Sequence, residues 1–143
     1  MSRKKPTESV TQFLNVDLEL VSTNELGPLL ALLSDATCTL RDSIDNGRRT
    51  VWMELARDPE DADSAIRDFA SLVESLPPDL RGSWDTCEDR CLNVGVQGGL
   101  VPHASGFRIS ASAIALLAAT STRLEFTVYA AETGSEPRNR NAT

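Results

Sequence analysis

Five stretches of the chain alternate hydrophobic and polar residues with a period of two, which is typical of a β-strand buried on one face only. The clearest is Phe13–Val21, where Leu14, Val16, Leu18 and Leu20 alternate with Asn15, Asp17 and Glu19. Three stretches between the strands, near 26–33, 62–76 and 110–118, carry hydrophobic residues at helical spacing. The predicted order of elements is β-α-β-β-α-β-α-β.

This pattern predicts an α+β two-layer sandwich. One face of each strand is hydrophobic and the other is polar, as in a mainly antiparallel five-stranded sheet with helices on one face. The element order is compatible with a ferredoxin-like domain that carries an added αβ unit. The order of the strands within the sheet does not follow from the sequence.

The second and third strands should form a hairpin. Asn46-Gly47 is a preferred type I′ turn, because both positions require positive φ. Folding the chain about this turn predicts that Arg41 and Trp52 are neighbours on the polar face. On the hydrophobic face the same register pairs Cys38 with Leu55, Leu40 with Met53 and Asp42 with Val51.

Other elements are predicted with less detail. Residues 79–89 are compatible with a short helix or with an ordered loop, since Leu80, Trp84 and Cys87 have helical spacing. The last helix should bury Ile114, Leu117 and Ala118. The last strand should turn Leu124, Phe126 and Val128 toward the helices.

The length of 143 residues indicates a single domain. We predict that this domain spans 12–130, between disordered polar tails at 1–11 and 131–143. No apolar run approaches the roughly 18 to 20 residues that would cross a membrane, and the first residues do not resemble a secretory signal. Three cysteines in such a chain indicate reduced thiols. These features predict a cytoplasmic protein, with export without a leader as the alternative.

The charge narrows the class of partner. Residues 13–130 contain nine arginines, no lysine and eighteen carboxylates, which gives this part of the chain a net charge of −9. Such a body repels phosphate groups, so we expect no nucleic-acid binding. It is compatible with a basic protein partner, although acidity can also serve solubility alone.

Residues with known catalytic or metal-binding chemistry are few. His103 is the only histidine, and no nucleophile motif lies near it, so ordinary surface exposure explains it better than catalysis. Cys87 and Cys91 are four residues apart, which is not the usual spacing of a zinc site, and structural thiols are the simpler interpretation. The glycine-rich segment 95–99 lacks a phosphate-binding motif and indicates close backbone packing. We therefore predict no enzyme activity, no cofactor and no metal.

The polar face of the sheet is the strongest candidate for a binding site. Tryptophan, tyrosine and arginine are enriched at binding hot spots, and here they are combined with carboxylates. The candidate partner-binding residues are Asp17, Glu19, Arg41, Trp52, Glu54, Glu125 and Tyr129. An ordinary solvated sheet face, with Trp52 packed beneath Arg41, explains the same pattern.

Four segments of the chain carry a resemblance to known families: FLNVDLELVS, LPPDLRGSW, CLNVGVQ and ISASAIALLAATSTRLEFTVY. Together they resemble small uncharacterised bacterial α+β proteins, among them immunity proteins that neutralise toxins used between competing bacteria. The acidic charge, the lack of a nucleophile–base pair and the aromatic residues of the polar face predict a non-enzymatic protein-binding domain, and the resemblance implies a basic toxin domain as its partner. It assigns a role to no individual residue. The alternatives are a ligand-binding or regulatory domain with a pocket near the 98–106 loop, and an enzyme that uses His103.

Overall fold

The computed structural model describes residues 9–131 and forms a five-stranded sheet with four helices. In chain order the elements are β1 (Gln12–Ser22), α1 (Gly27–Leu33), β2 (Thr37–Asp45), β3 (Arg48–Leu55), α2 (Ala62–Glu74), α3 (Pro78–Asp85), β4 (Asp89–Gln97), α4 (Ala111–Ala119) and β5 (Arg123–Tyr129). The predicted α+β two-layer class is confirmed. The predicted element order lacked α3, which occupies most of the ambiguous segment 79–89.

Strand β1 lies at the centre of the sheet, whose order is β2-β3-β1-β4-β5. It pairs antiparallel with β3 and β4, and β2 pairs antiparallel with β3. Strands β1 to β4 thus have the split βαβ arrangement of ferredoxin-like domains. Strand β5 is parallel to β4, which the crossover through α4 permits.

One hydrophobic core lies between the sheet and the helices. The alternation in β1 has the predicted effect, because Val16, Leu18 and Leu20 are fully buried. Each helix adds apolar side chains to the same cluster, among them Leu29, Phe69, Trp84 and Leu117. Since all four helices cover one face, the other face of the sheet is left open.

Two β-bulges change which side chains point to the open face. The register of β1 shifts between Phe13 and Asn15, so Leu14, predicted to be inward, is 45% exposed. The register of β2 shifts between Thr39 and Arg41, so Leu40 is also exposed rather than inward. A bulge adds one residue to one strand, and this turns the side chains beyond it to the other face.

The predicted hairpin register is correct next to the turn and wrong beyond the bulge. Arg41 is opposite Trp52, as predicted, and Asp42 is opposite Val51. Past the bulge, Cys38 is opposite Glu54 instead of Leu55. Cys38 is therefore exposed, and its predicted inward position is wrong.

Four hydrophobic side chains in the last two elements are more exposed than predicted. Ile114 and Ala118 on α4 are exposed, as are Phe126 and Val128 on β5. The core contains residues of β1, β3 and β4, whereas β5 contributes only the partly buried Leu124. The helices therefore pack over the inner strands and leave the edge strand β5 uncovered.

The loop after β4 packs against the beginning of the described chain. Thr11 donates its backbone N–H to the Val101 carbonyl, and the Gly99 N–H donates to the Thr11 hydroxyl. A Cβ atom at Gly99 would overlap the backbone of Val10 and Thr11, so close backbone packing explains this glycine. Residues 1–8 and 132–143, most of the two predicted tails, lie outside the described residues.

Candidate functional site

The open face of the sheet brings carboxylates from three strands into one row. Asp17 on β1 is opposite Glu54 on β3 and Asn93 on β4, and Asn93 is opposite Glu125 on β5. Cross-strand partners have their Cβ atoms about 5 Å apart, so these four side chains form a continuous polar row. Such a row concentrates negative charge on a surface that no helix covers.

A groove of about 490 Å³ lies over this row. Its lining combines acidic, amide and hydrophobic side chains from all five strands of the sheet. The lining residues are Leu14, Asn15, Asp17, Leu40, Trp52, Glu54, Asn93, Gly95, Glu125, Thr127 and Tyr129. The two bulges supply Leu14 and Leu40, so an irregularity of the backbone provides part of the apolar lining.

Two carboxylates of the row, Asp17 and Glu54, lack compensating charge. Burial, and then the neighbouring Glu54, raise the pKa of Asp17 above its ordinary value. Burial and Asp89 raise the pKa of Glu19, and the nearby Arg123 partly opposes this shift. No ion pair within residues 9–131 neutralises Asp17 or Glu54. A cation placed in the groove would relieve this repulsion.

Asn15 adds an unpaired hydrogen-bond acceptor to the groove. Its Nδ2 donates to Glu54 Oε1 at 2.6 Å. Its Oδ1 is buried and accepts no hydrogen bond from residues 9–131. A buried acceptor without a partner is unfavourable by about 1–3 kcal/mol, so this amide is a local cost of the folded structure.

Most of the residues predicted from the sequence meet in this groove. Asp17, Trp52, Glu54, Glu125 and Tyr129 all line it, so they share the open face of the sheet, as the alternation predicted.

Two of the predicted residues lie outside the lining. Glu19 is one row away, opposite Trp52 and Cys91, and Arg41 is opposite Trp52 on the edge strand β2. Leu14 and Leu40 also line the groove, although strict alternation predicted both on the covered face. The only available signal was the adjacent apolar pair Phe13-Leu14, which interrupts strict alternation.

The cysteines and the histidine lie apart from the groove lining. Cys87 is buried in the core, whereas Cys91 is buried on the open-face side of β4. Burial raises the pKa of the Cys91 thiol to about 11, against the opposing effect of Arg123, so this thiol is a poor nucleophile at neutral pH. His103 is exposed in the 98–106 loop. Within the part of the chain that the structure describes, no cluster of His, Cys, Asp or Glu could hold a metal ion.

Comparisons with protein-family models, with curated proteins and with solved structures found no match for this chain. The resemblance to immunity proteins therefore stays a prediction, as do the ligand pocket near the 98–106 loop and the enzyme that uses His103. Within residues 9–131, none of the helices has the length and hydrophobicity required to span a membrane. The geometry of the groove is the basis of the function proposed below.

Asp17→Asn should raise the free energy of unfolding at neutral pH and leave it nearly unchanged in acid. The folded-state pKa of Asp17 lies above its ordinary value of 3.8, so folding favours the protonated form. The stabilising effect of that proton is present below pH 3.8 and is lost as the pH rises through the raised pKa. The asparagine side chain of the variant is uncharged at every pH, so the variant does not lose stability in this way as the pH rises. Urea unfolding of both proteins across this range measures the difference.

Asp42→Asn is the control, with the opposite expected sign. A hydrogen bond from Arg49 lowers the pKa of Asp42, so this carboxylate stabilises the fold above its ordinary pKa of 3.8 and loses that effect as the pH falls. Its amide variant should therefore be less stable than the wild type at neutral pH. If both variants changed the free energy of unfolding equally and in the same direction, Asp17 would not be a carboxylate destabilised by burial and by Glu54.

Proposed function

We propose that this chain is a non-enzymatic protein-binding domain whose groove on the open sheet face holds a basic side chain of a partner protein. The row formed by Glu54, Asp17, Asn93 and Glu125 is the observation that carries this proposal. Three carboxylates of one row, two of them without an ion pair among residues 9–131, attract positive charge.

An arginine guanidinium has the chemistry that this groove requires. It carries five N–H donors and no acceptor, so one group can donate to oxygens of more than one carboxylate of the row. Its flat surface also stacks on aromatic rings, and Trp52 lines the same groove. A lysine would satisfy the charge but would not provide the planar, forked geometry.

The composition of the lining favours a protein over a small metabolite. Trp52 and Tyr129 line the groove together with apolar side chains, and aromatic residues are enriched at the centre of protein interfaces. The chain carries a net charge of −7, which would accelerate encounter with a basic surface and make binding sensitive to salt.

An immunity-type role is the specific form of this proposal. A toxin that acts on nucleic acid needs a basic surface in order to bind phosphate, and an acidic groove with aromatic anchors could occupy that surface. The resemblance of four segments to bacterial immunity families supports the same role. In this view the groove neutralises its partner by occupancy and performs no chemistry.

A capture experiment with matched charge variants tests the proposal. Three purified proteins are each used to recover partners from a lysate of the source cells. They are the wild type, the double variant Asp17→Asn/Glu54→Gln and the double variant Asp58→Asn/Glu60→Gln. Asp58 and Glu60 are exposed and are absent from the groove lining, so the two double variants lose the same charge at different places. We expect the wild type and the Asp58/Glu60 variant to recover one basic protein, and the Asp17/Glu54 variant to lose it.

Two further measurements complete the test: release of the recovered protein by salt, and its effect on cell growth. Raising the ionic strength should release the recovered protein if attraction between charges steers the complex. For the immunity-type role, that protein should arrest growth when it is produced alone and should be harmless when this chain is present. Equal recovery by both double variants would exclude the groove as the binding site, and a harmless partner would exclude the immunity-type role.

A further inference from the structure

Strand β5 has the features of a pairing edge. It lies at the end of the sheet, and no strand among residues 9–131 pairs with its outer edge. On its helix-facing side, Phe126 is 46% exposed and Val128 is 63% exposed. An uncovered edge with hydrophobic side chains is a template for another strand.

The opposite edge of the sheet also exposes hydrophobic side chains, among them Leu40 and Ile44, but its strand is irregular. Strand β2 is interrupted by the bulge between Thr39 and Arg41, and a bulge is one of the devices that prevent edge pairing. Strand β5 pairs with β4 without any register shift from Arg123 to Tyr129, and its sequence contains no proline. The β2 edge is thus protected against pairing with another strand, whereas the β5 edge is regular and open to it.

We propose that β5 pairs antiparallel with β5 of a second copy of this chain, about a two-fold axis that passes beside Phe126. Directly opposed residues in a sheet share a face. The centre of a symmetric pairing must therefore fall on a residue, not between two. With seven residues in β5, only the register centred on Phe126 uses the entire strand.

The side chains favour this register over its neighbours. It places Phe126 opposite Phe126 of the second copy and Leu124 opposite Val128, so hydrophobic side chains meet on the helix-facing side. On the open side it places Arg123 opposite Tyr129, which permits a cation–π contact. A register centred on Glu125 would instead oppose two carboxylates directly, which is unfavourable. In the proposed register the two Glu125 side chains are diagonal, and each is ion-paired with its own Arg123 at 3.1 Å.

A second copy explains the uncovered edge better than the remaining segments of the chain do. Residues 1–8 and 132–143 contain only Met1 and Ala142 as hydrophobic residues. Such segments offer too little apolar surface to bury Phe126 and Val128. A second β5 offers the same two side chains and, in addition, a matching backbone edge.

The pairing would join two sheets into one of ten strands. A two-fold axis perpendicular to the sheet keeps both open faces on the same side, so the two grooves would lie next to the shared seam. Glu125, Thr127 and Tyr129, which line each groove, would lie on the strands that form this seam. Seven residues make a small interface, so we expect a dimer that depends on concentration. This inference does not rest on the proposed function.

Sedimentation velocity over a wide range of protein concentration tests the pairing. We expect the wild type to shift from monomer to dimer as its concentration rises. Phe126→Lys should remain monomeric, because it places two like charges opposite each other at the centre of the seam. Ile44→Lys is the control, since Ile44 is 68% exposed on the protected edge strand β2, and it should dimerise like the wild type. A wild type that stays monomeric at every concentration would overturn the inference.

A cysteine test examines the register and does not depend on the lysine variant. In a Cys38→Ser background, Phe126→Cys should form a disulfide-linked dimer under mild oxidation, because opposed residues lie within the range of a disulfide. Val128→Cys should not crosslink, because its partner in the second copy is Leu124. Crosslinking of Val128→Cys, or of neither variant, would overturn the proposed register. Circular dichroism of each variant confirms that the fold is retained.

Discussion

Replacing Trp84 with alanine should lower the free energy of unfolding by about 3–5 kcal/mol. Trp84 lies on α3 and is 1% exposed, and it packs near Leu18, Phe69 and Leu117. Its Nε1 donates a hydrogen bond of 2.9 Å to the Thr120 carbonyl. The alanine variant would lose both the buried ring and this donor. Since domains of this kind have a total stability of about 5–15 kcal/mol, such a loss would remove a large part of it.

Urea unfolding followed by far-ultraviolet circular dichroism measures this loss without relying on the fluorescence of the replaced residue. Trp84→Phe separates the two contributions, because it keeps most of the apolar contact and removes only the hydrogen bond to the Thr120 carbonyl, which still accepts from the Thr122 hydroxyl. We expect the loss of this hydrogen bond to lower the free energy of unfolding by about 0.5–1.5 kcal/mol. An alanine variant as stable as the wild type would contradict the position of Trp84 in the core.

Trp52→Ala should have its main effect on binding, with an expected loss of about 2 kcal/mol or more, which is roughly thirtyfold in Kd. Trp52 lies on the open face, is only partly buried and lines the groove beside Asp17 and Glu54. Removing the indole takes away the aromatic surface against which a basic side chain of the partner would stack. Titration calorimetry with the partner recovered by the capture experiment measures the change.

Ile44→Ala is the matched control for this loss. Ile44 is an exposed hydrophobic residue of β2 and is absent from the groove lining, so its removal should leave the affinity unchanged. Both variants should unfold near the wild-type denaturant concentration. If Trp52→Ala binds as tightly as the wild type, the partner does not use the aromatic part of the groove, whatever the acidic variants show.

The two tryptophans illustrate how much of the site could be predicted. Trp52 lies in a strand where hydrophobic and polar residues alternate, so its place on the open face could be predicted from the sequence. Its position opposite Arg41 could also be predicted. Trp84 lies in a segment where a helix and an ordered loop were equally compatible with the spacing. Its burial depends on contacts with α2 and α4, which are distant along the chain, and no local pattern encodes them.

The errors share a physical origin in long-range packing. Leu14 and Leu40 changed face because a bulge depends on the partner strand as much as on the bulged strand itself. Ile114 and Phe126 are hydrophobic residues in regular elements, yet they are exposed because the helix layer does not extend to the edge of the sheet. Periodicity gives the orientation of a side chain relative to its own element, but it does not tell whether another element covers it.

The sequence by itself determined the α+β class, the central alternation of β1 and the division between an acidic open face and a hydrophobic covered face. These properties follow from side-chain period and polarity, which are local. The tertiary structure alone decided that β1 lies between β3 and β4, and this order brings Glu54, Asp17 and Glu125 into one row. Strand order sets which charges become neighbours. Because it depends on how chain segments far apart in sequence pack together, the acidic groove exists only in the folded chain.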